Sequence, residues 1–264
     1  MPAYCLIRLL VGGLALDIAT AVVSISLFLF SLSHSIQTQG LLRSGSLLVV
    51  AFAIALSMEY VGSAHSFLFG NYDYTDRLGP KAFGQVPIII PIAWFMMLYP
   101  AWCTATLLTK HITTRLPHLP SSIAHVAQVF IAALAMTAWD LSLDPRMVAD
   151  GAWVWFDGGE YFGIPLSNFL GWIITSMLIF TVWKAIDVLV HSGYTHTPEP
   201  MTTTHIRMTA HATLPIAAYI IQWLAESVAN ALFWSGPLVA LCVFAGMGLF
   251  AVPAAHSLIR RMRV

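Results

Sequence analysis

The sequence predicts an all-α, polytopic integral membrane protein with about seven transmembrane helices, folded as a single domain over residues 1–264. Three observations carry that reading. Of 264 residues, 58% are hydrophobic and only 9% charged, against about 25% charged in an ordinary soluble domain. Mean hydropathy is +0.79. The apolar residues also gather into runs of roughly 20, the length that crosses a hydrocarbon core.

Spans are expected at 9–32, 46–64, 86–108, 121–141, 164–190, 212–233 and 236–256. The first run is longer than a signal-peptide core and has no clean small-x-small cleavage site after it, which predicts a retained helix. Pro87, Pro91 and Pro100 interrupt the third, as a kink or as a break that frees backbone carbonyls. The fourth should stop just before Pro145, because proline disfavours helical geometry in the residue preceding it. The fifth is long enough to tilt. Trp234 and Ser235, with Gly236-Pro237 opening the last span, read as a tight hairpin.

Lysine and arginine set the expected orientation. The side holding the N-terminus carries Arg8, Arg77, Lys81 and Arg146. The other carries Arg43, Lys110, Arg115, Lys184, Arg207, Arg260, Arg261 and Arg263, so the positive-inside rule places that second side in the cytoplasm. Formal net charge is zero, and no basic surface calls for nucleic acid. Cys5, Cys103 and Cys242 are far apart and predict neither a disulfide framework nor a zinc site.

Ionisable groups inside spans are costly and point to function. At about 1.5 Å per residue, Asp140 lies roughly 2 Å, Glu59 about 8 Å, Glu226 about 10 Å and Asp17 about 12 Å below the outward ends of their helices. All four share one half of the bilayer, and Asn168 and Asn230 join them. Each has a plainer reading. Asp17 could bond a neighbouring helix, Glu59 could pair with His65 or Arg77, Asp140 could orient its loop, and Glu226 could bind Asn230 or an indole. The shared depth favours a common task. A carboxyl group in apolar surroundings tends to stay neutral and can donate a proton. Asp140 and Asp144 are at i and i+4, on one face if the helix reaches that far. Asp144 would then sit at the loop mouth.

Two segments, 83–102 and 136–172, join spans to loops dense in Trp, Tyr, Asp, Gly and Pro. Trp153 and Trp155 could be an interfacial belt, or their π faces could line the path of an apolar molecule and steady a transient cation. Several chemistries lack their residues. The ten histidines form no close cluster for di-iron. The last span has no lysine for a retinal Schiff base. No GxGxxG or GxxxxGK[ST] segment occurs, and no DDxxD motif.

The segments FGQVPIIIPIAWFMMLYPAW, MTAWDLSLDPRMV and GGEYFGIPLSNFLGW, with Gly70-Asn71-Tyr72-Asp73-Tyr74 before them, resemble the carotenoid 1,2-hydratases of the CruF type. That is a bacterial and archaeal, all-helical membrane family. The resemblance covers about half the chain and implies a multi-pass plasma-membrane enzyme. Its partners would be a carotenoid, water and membrane lipid, and it would add water across the terminal double bond of an acyclic carotenoid. The matched positions are Asp140, Asp144, Glu160, Tyr161 and Asn168. The roles come from the chemistry, which needs a neutral acid, a mostly dry pocket, aromatic faces and one placed water, with no cofactor and no metal. Asp140 is the expected acid, with Glu59 or Asp144 sharing its proton. Asn168 and Glu160 are expected to position water. Trp94, Tyr99, Trp139, Tyr161 and Phe162 are expected to enclose the end group. The alternatives are an end-group cyclase using the same protonation, a proton-coupled transporter using Asp17, Glu59 and Glu226, and a non-catalytic carotenoid-binding subunit.

Overall fold

Every expected span has its helix in the computed structural model, which describes residues 14–191 and 213–262. The helices are α1 (Leu14–Gln39), α2 (Leu41–His65), α3 (Ile89–Arg115), α4 (Ser121–Ala149), α5 (Leu166–His191), α6 (Leu214–Leu232) and α7 (Pro237–Met262). Residues 9–13 of the first expected span lie outside the described residues, as do Cys5, Arg8, Arg207 and Arg263. Among the described residues, six helices are long and apolar enough to cross a membrane, all but α6. The polar residues that lower the hydropathy of α6, Gln222, Glu226, Ser227 and Asn230, are buried against the bundle.

The helix ends differ from expectation in two places, each for a local reason. The expected loop between the first two spans is almost absent, and only Gly40, at φ +84°, separates α1 from α2. Glycine adopts that φ without a Cβ penalty. The polar residues around it are satisfied by one another, as where Ser35 Oγ donates to Ser44 Oγ at 2.7 Å. Nor does α4 stop before Pro145; it continues to Ala149. A proline inside a helix has no N–H for the carbonyl one turn back. That carbonyl belongs to Leu141, and it accepts the Tyr161 hydroxyl at 2.9 Å instead. Pro100 inside α3 is handled the same way, since the Met96 carbonyl accepts Ser31 Oγ of α1 at 2.9 Å.

Helix α3 is the central element. In its most apolar window 72% of residues are buried, against 22% in α1, and it packs on α1, α2, α4, α6 and α7. Between membrane helices, packing and interhelical hydrogen bonds replace the hydrophobic drive, at about 0.6 kcal/mol per bond. Tyr219 of α6 donates to the Ala135 carbonyl of α4 at 2.8 Å, and Trp223 of α6 to the Phe244 carbonyl of α7 at 2.9 Å. Outward faces carry exposed Ile18, Val22, Val49, Leu170 and Leu249, surfaces suited to hydrocarbon.

Two loops close one end of the bundle. Strand β1 (Tyr72–Tyr74) follows α2 and pairs antiparallel with β4 (Trp153–Trp155), which follows α4. Tyr72 lies opposite Trp155 and Tyr74 opposite Trp153. The pairing puts both loops on one side of the bundle. Alternation along each strand turns Tyr72, Tyr74, Trp153 and Trp155 inward and Asp73 and Val154 outward. Strands β2 (Lys81–Ala82) and β3 (Val86–Pro87) form a second short pair. Pro87 therefore lies in a strand before α3, not within the helix. The cap is seated on the bundle by Phe69, 1% exposed. A Cβ on Gly62 of α2 would come 2.5 Å from its ring, and one on Gly171 of α5 would come 2.7 Å from it.

Candidate active site

Beneath the strand pair is a cavity of about 30 Å3 lined by Glu59, Asp144, Asn168, Trp94 and Trp172, with Tyr72, Tyr74 and the β4 tryptophans above. Its groups come from α2, α3, α4, α5 and the loop strands, so four helices and both loops converge on it. A space of about 10–15 Å3 or more admits one water, if polar partners are present.

Glu59, 4% exposed, accepts three hydrogen bonds from side chains. Tyr72 and Tyr74 donate to Oε2 at 2.6 and 2.7 Å, and Trp94 Nε1 donates to Oε1 at 2.9 Å. Neither His65 nor Arg77 is its partner, because the loop strand reaches the carboxyl first. Arg77 instead pairs with Asp17 at 3.1 Å and donates to the Asp150 carbonyl. Burial first, and the Glu59 charge second, push the Tyr72 and Tyr74 phenols well above their ordinary value. Both therefore stay neutral donors.

On the other wall, Asn168 of α5 joins Asp140 and Asp144 of α4. Its Nδ2 lies 2.9 Å from Asp140 Oδ2 and 2.5 Å from Asp144 Oδ2. The unbroken helix is what sets both carboxyls on one face. Asp144 is 2% exposed and lines the cavity, rather than sitting at a loop mouth. Asp140 is fully buried behind it, and its Oδ1 has no hydrogen-bond partner among the described residues.

The aromatic residues divide. Trp94 stacks on Trp172, with ring centroids 4.1 Å apart and planes 15° apart, and Trp139 meets Trp172 edge-on at 6.1 Å. Trp153 and Trp155 are 6% and 8% exposed, so they face the cavity instead of forming an interfacial belt. Tyr99 lines a separate cavity further along α3, bound to His34 at 2.8 Å and to Thr38 at 3.1 Å. Tyr161 is occupied with the Leu141 carbonyl, and Phe162 is 45% exposed. Glu160 is also exposed and accepts the Leu166 N–H at 3.2 Å, which caps α5 outside the cavity.

The shared depth of the four carboxyls resolves into separate groups. Glu226 accepts Ser142 Oγ and Gln222 Nε2, both at 2.6 Å, and lies 3.9 Å from Arg146. Arg146, counted in sequence as a loop residue, is buried within α4 because that helix runs on past Pro145. Asp17 faces a larger apolar groove of about 350 Å3 between α1, α3 and α4. That groove shares Ile90, Ala93, Leu143 and Trp153 with the carboxyl cavity, so the two spaces lie wall to wall.

Tyr72 and Tyr74 were not singled out as site residues from sequence. Their signal was the Tyr-x-Tyr alternation, matched by Trp-x-Trp at 153–155, a period of two that marks a strand with one buried face.

Bisanhydrobacterioruberin hydratase of Haloarcula japonica is 29% identical to the chain over 134 residues, which is 50% of this chain. The matched stretch spans only 42% of that relative's length. No solved structure matches. Residues 12–251, which include every helix and strand around the cavity, match the family described as "Carotenoid biosynthesis protein", and the chain belongs to that family.

Proposed function

We propose that the chain is a carotenoid 1,2-hydratase, a hydro-lyase that adds water to the terminal double bond of an acyclic carotenoid end group without a cofactor. The observation that carries this reading is the one-water cavity between Glu59, Asp144 and Asn168, wall to wall with a larger, mainly apolar groove. The name of the relative from Haloarcula japonica supports the same class of reaction and suggests a bacterioruberin precursor as substrate.

The polyene lies in the groove between α1, α3 and α4, entering sideways from lipid, with its end group at Leu143 and Trp153. Asp140 and Asp144, bridged by one amide, hold a proton between them. Asp144, the member that faces the cavity, delivers it to the less substituted alkene carbon, and the π pair becomes the new C–H bond. The tertiary cation faces the Trp94–Trp172 stack. Water in the cavity, hydrogen-bonded by Asn168, forms the C–O bond and gives its proton to Glu59. Both oxygens of Glu59 already act as acceptors, the pattern of a carboxylate. Return of that proton to the aspartate pair closes the cycle, so alkene plus water gives alcohol with nothing oxidised or reduced.

Expression in a cell that accumulates an acyclic carotenoid tests this. The product should be heavier by one water per end group. Its oxygen should come from heavy-oxygen water, in the absence of air. Oxygen drawn from molecular oxygen, or a cyclised product of unchanged mass, would overturn the reading; the second result would identify a cyclase.

A further inference from the structure

At the other end of the bundle is a site of different chemistry. A cavity of about 430 Å3 there is lined by Arg43, Lys110, Lys184 and His125, with Tyr99 and Trp102. Trp183 organises two of the cations. Its indole donates to the Arg43 carbonyl at 3.2 Å. The Arg43 guanidinium and Lys184 Nζ lie 5.5 and 5.7 Å from its ring centroid. Asp187 pairs with both at 2.9 Å. Two of the cavity's cations thus share one carboxylate. Arg43 Nε makes no hydrogen bond, and Lys110 Nζ has no partner among the described residues. A second space of about 660 Å3 shares Trp102, His125 and Lys184 with the first. It runs between α4 and α5 past Val129, Met177 and Val188, and its walls are mainly apolar.

We propose that this composite site binds an anionic phospholipid, with its phosphate in the basic cavity and one acyl chain in the groove between α4 and α5. A surplus of cations at the end of membrane helices attracts anionic headgroups. Charge selects the occupant. A carotenoid hydrocarbon gives these cations no counter-charge, and a free phosphate leaves the apolar groove unfilled. Two spaces of opposite character that share Trp102, His125 and Lys184 fit one molecule with an anionic head and an apolar tail. The site is separate from the carboxyl cavity and does not depend on the reaction proposed there.

Native mass spectrometry of the purified full chain, equilibrated with phosphatidylglycerol and phosphatidylcholine in equal amounts, tests the proposal. Phosphatidylglycerol should be retained at least about tenfold over phosphatidylcholine, an electrostatic preference that falls with added salt. Lys110→Gln should cut that preference several-fold. Arg115→Gln, which removes an exposed charge at the end of α3 outside the cavity, should leave it unchanged. Ala185→Trp, which fills the groove, should abolish retention. A chain-length series on the unmodified protein gives the same information without a mutation, because retention should rise from short-chain to long-chain phosphatidylglycerol. Equal retention of the two lipids would overturn the proposal, as would Lys110→Gln and Arg115→Gln behaving alike. So would inorganic phosphate displacing the lipid completely at comparable concentration, or retention independent of chain length.

Discussion

Tyr74 reaches down from a loop strand to place its hydroxyl 2.7 Å from Oε2 of Glu59, a carboxyl on a membrane helix 15 residues earlier in the chain. The cap over the bundle is therefore part of the site: it supplies donors to the carboxyl and holds its orientation.

Tyr74→Phe keeps the ring packed on Trp153 and removes only the donor. A hydrogen bond to a charged group is worth about 1.5–3 kcal/mol, so turnover should fall about ten- to a hundredfold. The amount of protein in the membrane should change little. Tyr72→Phe should act similarly, and the pair should be non-additive because both donate to one oxygen. Conversion of an acyclic carotenoid, normalised to protein in isolated membranes, is the measurement. Wild-type turnover in the double variant would remove Glu59 from the mechanism.

Asp144→Asn and Asp140→Asn preserve shape and remove an acidic proton. General acid catalysis contributes about 10²–10⁴-fold, so each variant should lose at least about a hundredfold. Because the two residues hold one proton, the double variant should be hardly worse than either single one. Asp187→Asn, at the opposite end of the bundle, should leave turnover within about twofold, as expected of a group that takes no part in the proton transfer. Independent, multiplying losses at Asp140 and Asp144 would show that they do not act as a pair.

Tyr161→Phe should destabilise the protein by about 1–3 kcal/mol, since it leaves the Leu141 carbonyl buried without a donor. Pro145→Ala returns a backbone N–H to that carbonyl. The double variant Pro145→Ala/Tyr161→Phe should therefore recover much of the loss seen in Tyr161→Phe alone. Thermal unfolding in detergent of the four proteins in this cycle reads the coupling. Strict additivity would show that Tyr161 serves some other purpose.

Gly171→Val should lower stability by about 1–3 kcal/mol, the usual cost of overpacking, because its Cβ would meet the Phe69 ring at 2.7 Å. The companion change Phe69→Ala makes room and should partly rescue folding in the double variant. Unaltered melting of Gly171→Val would show that Phe69 does not seat the cap.

Hydropathy located the helices, six of them as the long apolar runs that crossing a hydrocarbon core demands whatever the neighbours are. The spacing of Asp140 and Asp144 was equally local, since a helix places i and i+4 on one face. Sequence depth also put Glu59 and Glu226 in the same half of the bilayer as Asp140. Depth is one coordinate, and azimuth is set by packing. Only the tertiary structure therefore separated Glu226, turned toward Ser142 and Gln222, from the Asp140–Asp144–Asn168 group. The same limit misplaced Tyr99. Five residues beyond Trp94 on α3, it is about 7.5 Å further along the axis and on another face, among the groups of the opposite cavity. Pro145 reads as a stop because proline's effect on the residue before it is local. Its tolerance depends on Tyr161 donating to the freed carbonyl of Leu141, 20 residues earlier in the chain. The Tyr-x-Tyr and Trp-x-Trp alternation marks two short strands but not what their buried faces meet, so the donors of Glu59 emerged only once β1 and β4 were brought side by side by the helices they follow.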